Sequence, residues 1–171
     1  MRKIILYIAT SLDNFIAKKD GNVDWLFHDK DYGYNNFYES IDTTLMGNNT
    51  YKQVSGLGEF PYKEKCNYVF TRSRNINRAP FVKFFNENVK SFVEELKNQS
   101  GKNIWLIGGS EINSYFFENH LVDELIISIH PIILGSGIPL LSKNEVVITL
   151  ELMATNTYDT GLTQLHYLVK S

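Results

Sequence analysis

The first 120 residues alternate between short β-rich apolar runs and stretches predicted to be helical, and this alternation limits the fold more than any other feature. The run KIILYIAT (3–10) is almost unbroken, as expected of a central strand that is buried on both faces. Shorter runs at 43–47, 65–71, 81–86 and 103–107 are also predicted to be strands. Because helices join most of these strands, the pattern predicts βαβ crossovers and a largely parallel sheet.

Four stretches are predicted to be the helices of this pattern. Two of them place apolar residues at i, i+3, i+4 and i+7, which gives each helix one apolar face. Asn48 or Asn49 is expected to cap the second helix, because an Asn side chain can accept bonds from N–H groups of the first turn. The predicted helices are 32–41, 48–54, 88–99 and 110–119.

The last third of the chain has a different pattern. A long strand is predicted at 123–134, and 146–170 is predicted to form two strands around a turn at Asp159 and Gly161. No helix is expected between these strands, so they should add antiparallel pairing at one edge of the sheet. No linker or low-complexity tract interrupts the sequence, which therefore predicts a single α/β domain over 1–171.

Charge and composition argue against several functional classes. The net charge is −2, which does not favour a nucleic-acid surface. Cys66 is the only cysteine, so a disulfide within the chain and a multi-thiolate zinc site are excluded, and the four histidines have no metal-binding spacing. No segment approaches the roughly 20 apolar residues of a membrane span. We expect a cytoplasmic protein with no bound catalytic metal, no membrane contact and no nucleic-acid partner.

Gly108 and Gly109 separate a predicted strand from a predicted helix in IWLIGGSEI (104–112). A bare backbone at this position exposes N–H groups at the positive end of the helix dipole, where a phosphate binds well. The alternative is that the two glycines only make a tight turn. The segment alone favours neither reading.

Two further strand ends are of a similar kind. Gly47 precedes a predicted helix that carries Thr50 in its first turn, and the strand predicted at 65–71 ends in the run Thr71, Arg72, Ser73 and Arg74. Each feature alone also fits a capped helix or a solvated turn. The carboxyl ends of parallel strands share one edge of a sheet, however, so all three should lie close together. A dinucleotide is long enough to use all three.

Six segments together resemble the dihydrofolate reductase superfamily. Within it, the chain is most similar to stand-alone proteins related to the C-terminal reductase domain of the bifunctional riboflavin-biosynthesis enzyme. The resemblance implies a three-layer fold with a mixed, mostly parallel sheet of about eight strands flanked by helices. It also implies NADPH as hydride donor and a homodimer. The segments are IATSLDNFIA (8–17), DWL (24–26), LMGNNTY (45–51), VFTRS (69–73), IWLIGGSEI (104–112) and HPIILGSGIPLL (130–141).

The resemblance also assigns cofactor roles to residues of this sequence. Ala9 and Ile16 would border the nicotinamide, and the long polar segment 11–31 would close over that ring. The pyrophosphate would lie along Gly47, Asn49, Thr50, Gly108, Gly109, Ser110 and Glu111. The adenosine ribose and its 2′-phosphate would face Thr71, Arg72 and Ser73.

Two positions depart from the family pattern. Asn48 stands where the folate enzymes usually have Arg, and Glu111 stands where many place a basic residue. The loss of two cations weakens the case for 2′-phosphate selectivity, but Arg72 and Arg74 could compensate. We therefore expect NADPH in preference to NADH.

On the substrate side, the resemblance points to Asp31 and Trp25. Asp31 lies near the position of the carboxylate that holds the folate ring, and Trp25 resembles the tryptophan that borders the folate pocket. The alternatives are a helix cap for Asp31 and an aromatic plug within the loop for Trp25. Asp13 is expected to hold the loop as a turn former, and Asn14 stands where the family usually has Gly, which suggests positive φ.

The expected function is an NADPH-dependent reductase that transfers a hydride to a small aminouracil-like or pteridine-like substrate. The reaction would be similar to that of 5-amino-6-(5-phosphoribosylamino)uracil reductase; Lys18, Lys19 and Lys30 are loop candidates for a substrate phosphate. The zinc signature of the deaminase half of the bifunctional enzyme is absent. The alternatives are a true dihydrofolate reductase that uses Asp31, a non-catalytic NADPH-binding module, and a dimeric structural protein without a ligand.

Overall fold

The computed structural model describes residues 1–73, 79–142 and 145–170, so Arg74 lies outside the described residues. Ten strands and four helices are present in these ranges. In chain order they are β1 (Ile4–Thr10), β2 (Phe15–Ala17), α1 (Tyr34–Ser40), β3 (Ile41–Gly47), α2 (Asn48–Gly56), β4 (Cys66–Phe70), β5 (Val82–Phe85), α3 (Val89–Asn98), β6 (Asn103–Gly108), α4 (Ser110–Glu118), β7 (Glu124–Ile129), β8 (Ile138–Pro139), β9 (Thr149–Thr157) and β10 (Thr163–Lys170).

The central sheet has eight strands in the order β5-β4-β3-β6-β1-β7-β10-β9. The first six run parallel, whereas β10 is antiparallel to β7 and β9 is antiparallel to β10. The predicted mixed sheet with an antiparallel C-terminal hairpin is therefore confirmed. In the described ranges, no helix is both long and apolar enough to cross a bilayer.

Helices cover both faces of this sheet, and alternate residues of β1 point to opposite faces. Ile4 and Leu6 belong to the larger core, which α3 and α4 complete with residues such as Phe116. Ile5 belongs to a smaller core on the other face, with Phe37 of α1 and Trp105 of β6. An almost unbroken apolar run is what a strand covered on both faces requires.

Side-chain and backbone contacts tie the loop after β1 to the segment after β7. The Asp13 carboxylate accepts hydrogen bonds from Ser11 Oγ at 2.6 Å and from the backbone N–H groups of Leu134 and Gly135 at 3.1 and 2.8 Å. These bonds, that from Ser11 above all, lower the pKa of Asp13. Asn14 has φ of 64°, so the predicted turn role of Asp13 and the positive φ of Asn14 are both confirmed.

Two local predictions were wrong. The strand predicted at 123–134 ends at Ile129, because the backbone turns away at His130 and Pro131 has no N–H for a further ladder bond. Neither Asn48 nor Asn49 caps α2, which begins at Asn48 itself with Gly47 in the capping position and no side-chain cap. The first-turn N–H groups of α2 are therefore left without a capping side chain.

Candidate active site

A cleft of about 1650 Å³ runs along the carboxyl ends of the parallel strands. Its lining comes from the ends of β1, β3, β4 and β6, from α2 and α4, and from the loop after β1. Every predicted cofactor residue except Gly108 lines it: Ala9, Ile16, Gly47, Asn49, Thr50, Thr71, Arg72, Ser73, Gly109, Ser110 and Glu111. One edge of the sheet thus brings together residues that are far apart in sequence.

Positions 108 and 109 require glycine, both because of the backbone conformation and because neighbouring atoms leave no room for a side chain. Their φ angles are 106° and 103°, which side chains rarely adopt. A Cβ atom would lie 2.7 Å from Asn113 Oδ1 at Gly108 and 2.8 Å from Thr50 Oγ1 at Gly109. Thr50 Oγ1 also donates to the Gly108 carbonyl at 3.1 Å, so Gly108 supports the cleft wall from behind.

The helices α2 and α4 both begin at this cleft, and both lack a side-chain cap. Ser110, the first residue of α4, lines the cleft but is only 8% exposed. Its Oγ has no hydrogen-bond partner among the described residues. A buried hydroxyl normally has a partner, so an unpaired one at the positive end of a helix suits an anionic ligand that accepts from it.

The β4 end of the cleft carries its charged groups. Thr71, Arg72 and Ser73 line this end, together with Asn86 and Glu87, which the sequence analysis did not single out. The guanidinium of Arg72 forms an ion pair with the carboxylate of Glu111. Both side chains are exposed, so water screens the pair and a competing anion can displace Glu111.

The β1 end of the cleft is aromatic and apolar. Tyr7, Trp105 and Tyr62 line it and contact one another through Trp105, and we call these three residues the aromatic recess. Burial raises the pKa of Tyr62 to about 12 and is also the main cause of a raised pKa at Tyr7. Both phenols therefore keep their protons at neutral pH.

The recess was not predicted from the sequence, although the strands carry a signal for part of it. Alternation along β1 puts Tyr7 on the same face as Ala9, and alternation along β6 puts Trp105 on the same face as Ile107. Ala9 and Ile107 both line the cleft. Extending the alternation backward from the glycine pair would have predicted two of the three aromatic residues, whereas Tyr62 lies in a loop without periodicity.

Asp31 and Trp25 do not line the cleft. The exposed carboxylate of Asp31 accepts from the backbone N–H groups of Gly33 at 3.0 Å and Asn35 at 2.9 Å, so it caps the start of α1. Trp25 is 9% exposed and packs edge-on against His130, with ring centroids 5.3 Å apart. Asp31 therefore acts as a helix cap and Trp25 as an aromatic plug of the loop. Their catalytic roles stay predictions without geometric support.

A family model of the RibD C-terminal domain matches residues 2–164, almost the whole chain. The chain belongs to the RibD C-terminal domain family. It is also 42% identical to the uncharacterized protein YwjB of Bacillus subtilis over 170 residues, which are 97% of each chain.

Solved structures agree with the RibD C-terminal domain assignment. A putative riboflavin biosynthesis protein from Shewanella sp. PV-4 superposes with a TM-score of 0.87 at 28% identity, over 99% of each chain. A dihydrofolate reductase from Enterococcus faecalis, complexed with NADP(H), superposes with a TM-score of 0.70 at 13% identity, covering 99% of this chain and 97% of that one. This member of the RibD C-terminal domain family therefore has the dihydrofolate reductase-like fold.

Proposed function

We propose that the protein is an NADPH-dependent reductase that transfers a hydride to a small heterocyclic substrate, in a reaction similar to that of the riboflavin-pathway pyrimidine reductase. The observation that carries the proposal is the meeting of two uncapped helix N-termini and the unpaired Ser110 Oγ in one cleft. A pyrophosphate accepts from all of these donors. The family assignment supports reductase chemistry.

The cleft residues fit this cofactor from end to end. The pyrophosphate would lie against Gly47, Asn49, Thr50, Gly109 and Ser110, where the backbone is bare or hydroxylated. Glu111 would stand at the edge of this region. The adenosine 2′-phosphate would face Thr71, Arg72 and Ser73, which requires Arg72 to exchange Glu111 for the phosphate. The nicotinamide would lie between Ala9 and Ile16.

The protein's part in the chemistry is positioning and exclusion of water. When bound, NADPH supplies a hydride that adds to a C=N carbon of the substrate, while water supplies the proton to the nitrogen. The cleft walls near the proposed nicotinamide position are apolar, because they include Ala9, Ile16 and Leu26. Apolar walls favour close approach of the nicotinamide ring and the substrate ring. We propose no role for Asp31, because its carboxylate is engaged as a helix cap.

A thermal melt with NADPH or NADH tests the cofactor directly. At about 100 times its dissociation constant a ligand adds about 2.7 kcal/mol, which should raise the melting midpoint by roughly 5–10 °C. Ser110→Ala should reduce the shift, whereas Ser100→Ala, an exposed serine outside the cleft, should not. No shift with either dinucleotide would contradict the proposal. A shift without oxidation of NADPH by aminouracils or pteridines would favour a non-catalytic binding module.

We also propose that the protein is a cytoplasmic homodimer in which the β9 edges of two copies pair. β9 ends the sheet, all nine of its residues are exposed, and Leu152 and Met153 are 53% and 57% exposed. An exposed apolar edge strand readily pairs with another strand. Light scattering should give a dimer mass that Leu152→Lys reduces to the monomer mass, whereas Val147→Lys, outside β9, should not. A monomer in the unmodified protein would contradict this assembly.

The proposed cytoplasmic location rests on the cysteine content of the chain. Cys66 is the single cysteine, and a low cysteine content without disulfides is typical of proteins in reducing compartments.

A further inference from the structure

We propose that the aromatic recess binds an uncharged planar heterocycle and excludes substrates that carry a phosphate. This inference rests on the proposed reductase function, because it concerns the ring that would accept the hydride. It also separates this chain from an enzyme for a phosphoribosyl substrate, with which it shares the fold.

The three rings of the aromatic recess hold one another in fixed positions. The Tyr62 and Trp105 centroids are 5.2 Å apart at 74°, and those of Tyr7 and Trp105 are 6.2 Å apart at 87°. Trp105 Nε1 donates to the Tyr7 carbonyl at 3.1 Å, and Trp105 is only 5% exposed. Edge-to-face packing of this kind offers a rigid apolar surface to a flat ring, which needs no side-chain ordering on binding.

The cleft offers little to neutralise a substrate phosphate. Among the described residues that line it, Arg72 is the only cation. Arg72 follows β4, which is three strands from β1, or roughly 14 Å at about 4.8 Å per strand. Its guanidinium is already paired with Glu111, and the proposed cofactor would use it. A substrate phosphate near Tyr7 would therefore find no free cation in this lining.

Four lysines near the recess and its loop in sequence are engaged elsewhere. Lys18 pairs with Asp24 at 2.7 Å, and Lys30 pairs with Asp159. Lys65 donates to two backbone carbonyls at 2.9 Å, and Lys63 pairs with the carboxylate of Glu59. None of these lysines lines the cleft, and neither do Lys19 and Lys52, for which the described residues show no ion pair. A phosphate drawn into the recess would lose its hydration without gaining a charged partner, which opposes binding.

Tyr7 supplies a polar group that can orient a neutral ring. Its hydroxyl accepts a hydrogen bond from Gln164 Nε2 at 3.4 Å, and no described residue accepts the hydroxyl hydrogen. Gln164 Nε2 also donates to Ser128 Oγ at 3.0 Å, which holds the amide in place. The Tyr7 hydrogen is thus available to a carbonyl oxygen or ring nitrogen, the acceptors that an uncharged heterocycle offers.

Riboflavin and FMN form a matched pair of probes, because they share one planar ring system and differ by a phosphate. Isothermal titration of the full chain would measure both dissociation constants with and without saturating NADP⁺. We expect riboflavin to bind at least about tenfold more tightly than FMN, since an unpaired charge costs more than the 1.4 kcal/mol that corresponds to tenfold. NADPH binding, measured separately by the thermal melt, tests the cofactor assignment.

Two variants show where the probe binds. Tyr62→Leu keeps an apolar side chain but removes the ring, and it should weaken riboflavin about tenfold without changing the NADPH shift. Phe60→Leu is the matched control. The Phe60 ring packs against that of Tyr62, with centroids 5.6 Å apart, but Phe60 does not line the cleft. It should leave riboflavin binding unchanged.

The outcomes separate this inference from the proposed function. FMN binding as tightly as riboflavin, or failure of both flavins to bind while NADPH stabilises the protein, would overturn the recess assignment and leave the reductase proposal standing. Equal effects of Tyr62→Leu and Phe60→Leu would also overturn it. Preference for riboflavin without any NADPH shift would overturn the reductase proposal, and with it the role of the recess as a substrate site.

Discussion

The two ends of the cleft are built by different means. At the β3, β4 and β6 ends, backbone N–H groups, small residues and hydroxyls follow directly after strands, so each contribution is local in sequence. The aromatic recess instead collects Tyr7 from β1, Trp105 from β6 and Tyr62 from a loop. A short motif can therefore specify a phosphate site, whereas a ring site depends on which strands become neighbours.

The proposed pyrophosphate site depends on the glycine pair Gly108 and Gly109, and substitution of Gly109 should have the largest effect. Gly109→Ala places Cβ 2.8 Å from Thr50 Oγ1 at φ of 103°, which costs on the order of 1–3 kcal/mol in strain and closes the backbone approach. We expect NADPH affinity to fall on the order of 100-fold while riboflavin affinity stays within about twofold.

Gly56→Ala is the control for this change, because Gly56 has open space around its Cβ position and ordinary φ. Titration of both ligands against both variants checks the prediction. A parallel loss of NADPH and riboflavin in Gly109→Ala would mean that the two ends of the cleft are not independent.

The ring end should respond in the opposite way to the loss of one hydroxyl. Tyr7→Phe keeps the ring packing but removes the donor proposed to orient the substrate, so kcat should fall about tenfold to a hundredfold while the NADPH dissociation constant is unchanged. Tyr115→Phe, which alters a cleft tyrosine of α4, should leave kcat unchanged. Steady-state kinetics with an accepted heterocycle measure this, and an unaltered kcat in Tyr7→Phe would exclude the orienting role.

Charge at the β4 end should have a smaller effect. In Glu111→Gln the guanidinium of Arg72 no longer has a carboxylate partner, so NADPH affinity should rise about threefold to fivefold while NADH affinity changes little. The gain should shrink at high salt, because the groups are exposed. Glu118→Gln, at the other end of α4, is the control. An equal gain for both cofactors would show that Glu111 repels the pyrophosphate and has no part in 2′-phosphate selection.

The sequence was sufficient to predict the sheet, its parallel core and the meeting of the residues after β3, β4 and β6 in one cleft. These follow from apolar runs, alternation with helices, and glycines at strand ends. It was not sufficient to predict that Tyr62 joins the recess or that Asp31 acts as a helix cap. Tyr62 reaches Trp105 through a tertiary contact that no local pattern encodes. For Asp31 a helix cap and a ligand-binding carboxylate look the same in sequence, and only the hydrogen bonds to Gly33 and Asn35 distinguish them.

The smallest expected effect is that of mild acid, which should weaken ligand binding at the two ends of the cleft to different extents. The residue responsible is His130. This residue is 4% exposed, and its Nε2 accepts the Phe27 N–H at 3.2 Å, which fixes the loop that carries Leu26 into the cleft. Burial lowers the pKa of His130, with a smaller contribution from nearby His28. A depressed pKa means that the contribution of His130 to stability is complete above the ordinary value of 6.5 and is lost as pH falls through the lower folded value.

Protonation of His130 also removes the acceptor for the Phe27 N–H, so riboflavin binding should weaken between pH 7 and 5 more than NADPH binding does. The melting midpoint should fall by about 2–4 °C over the same range. His130→Gln, which keeps an acceptor but does not titrate, should flatten both profiles. If both ligands weaken equally in the unmodified protein and in the variant, the acid effect arises elsewhere and the loop does not depend on His130.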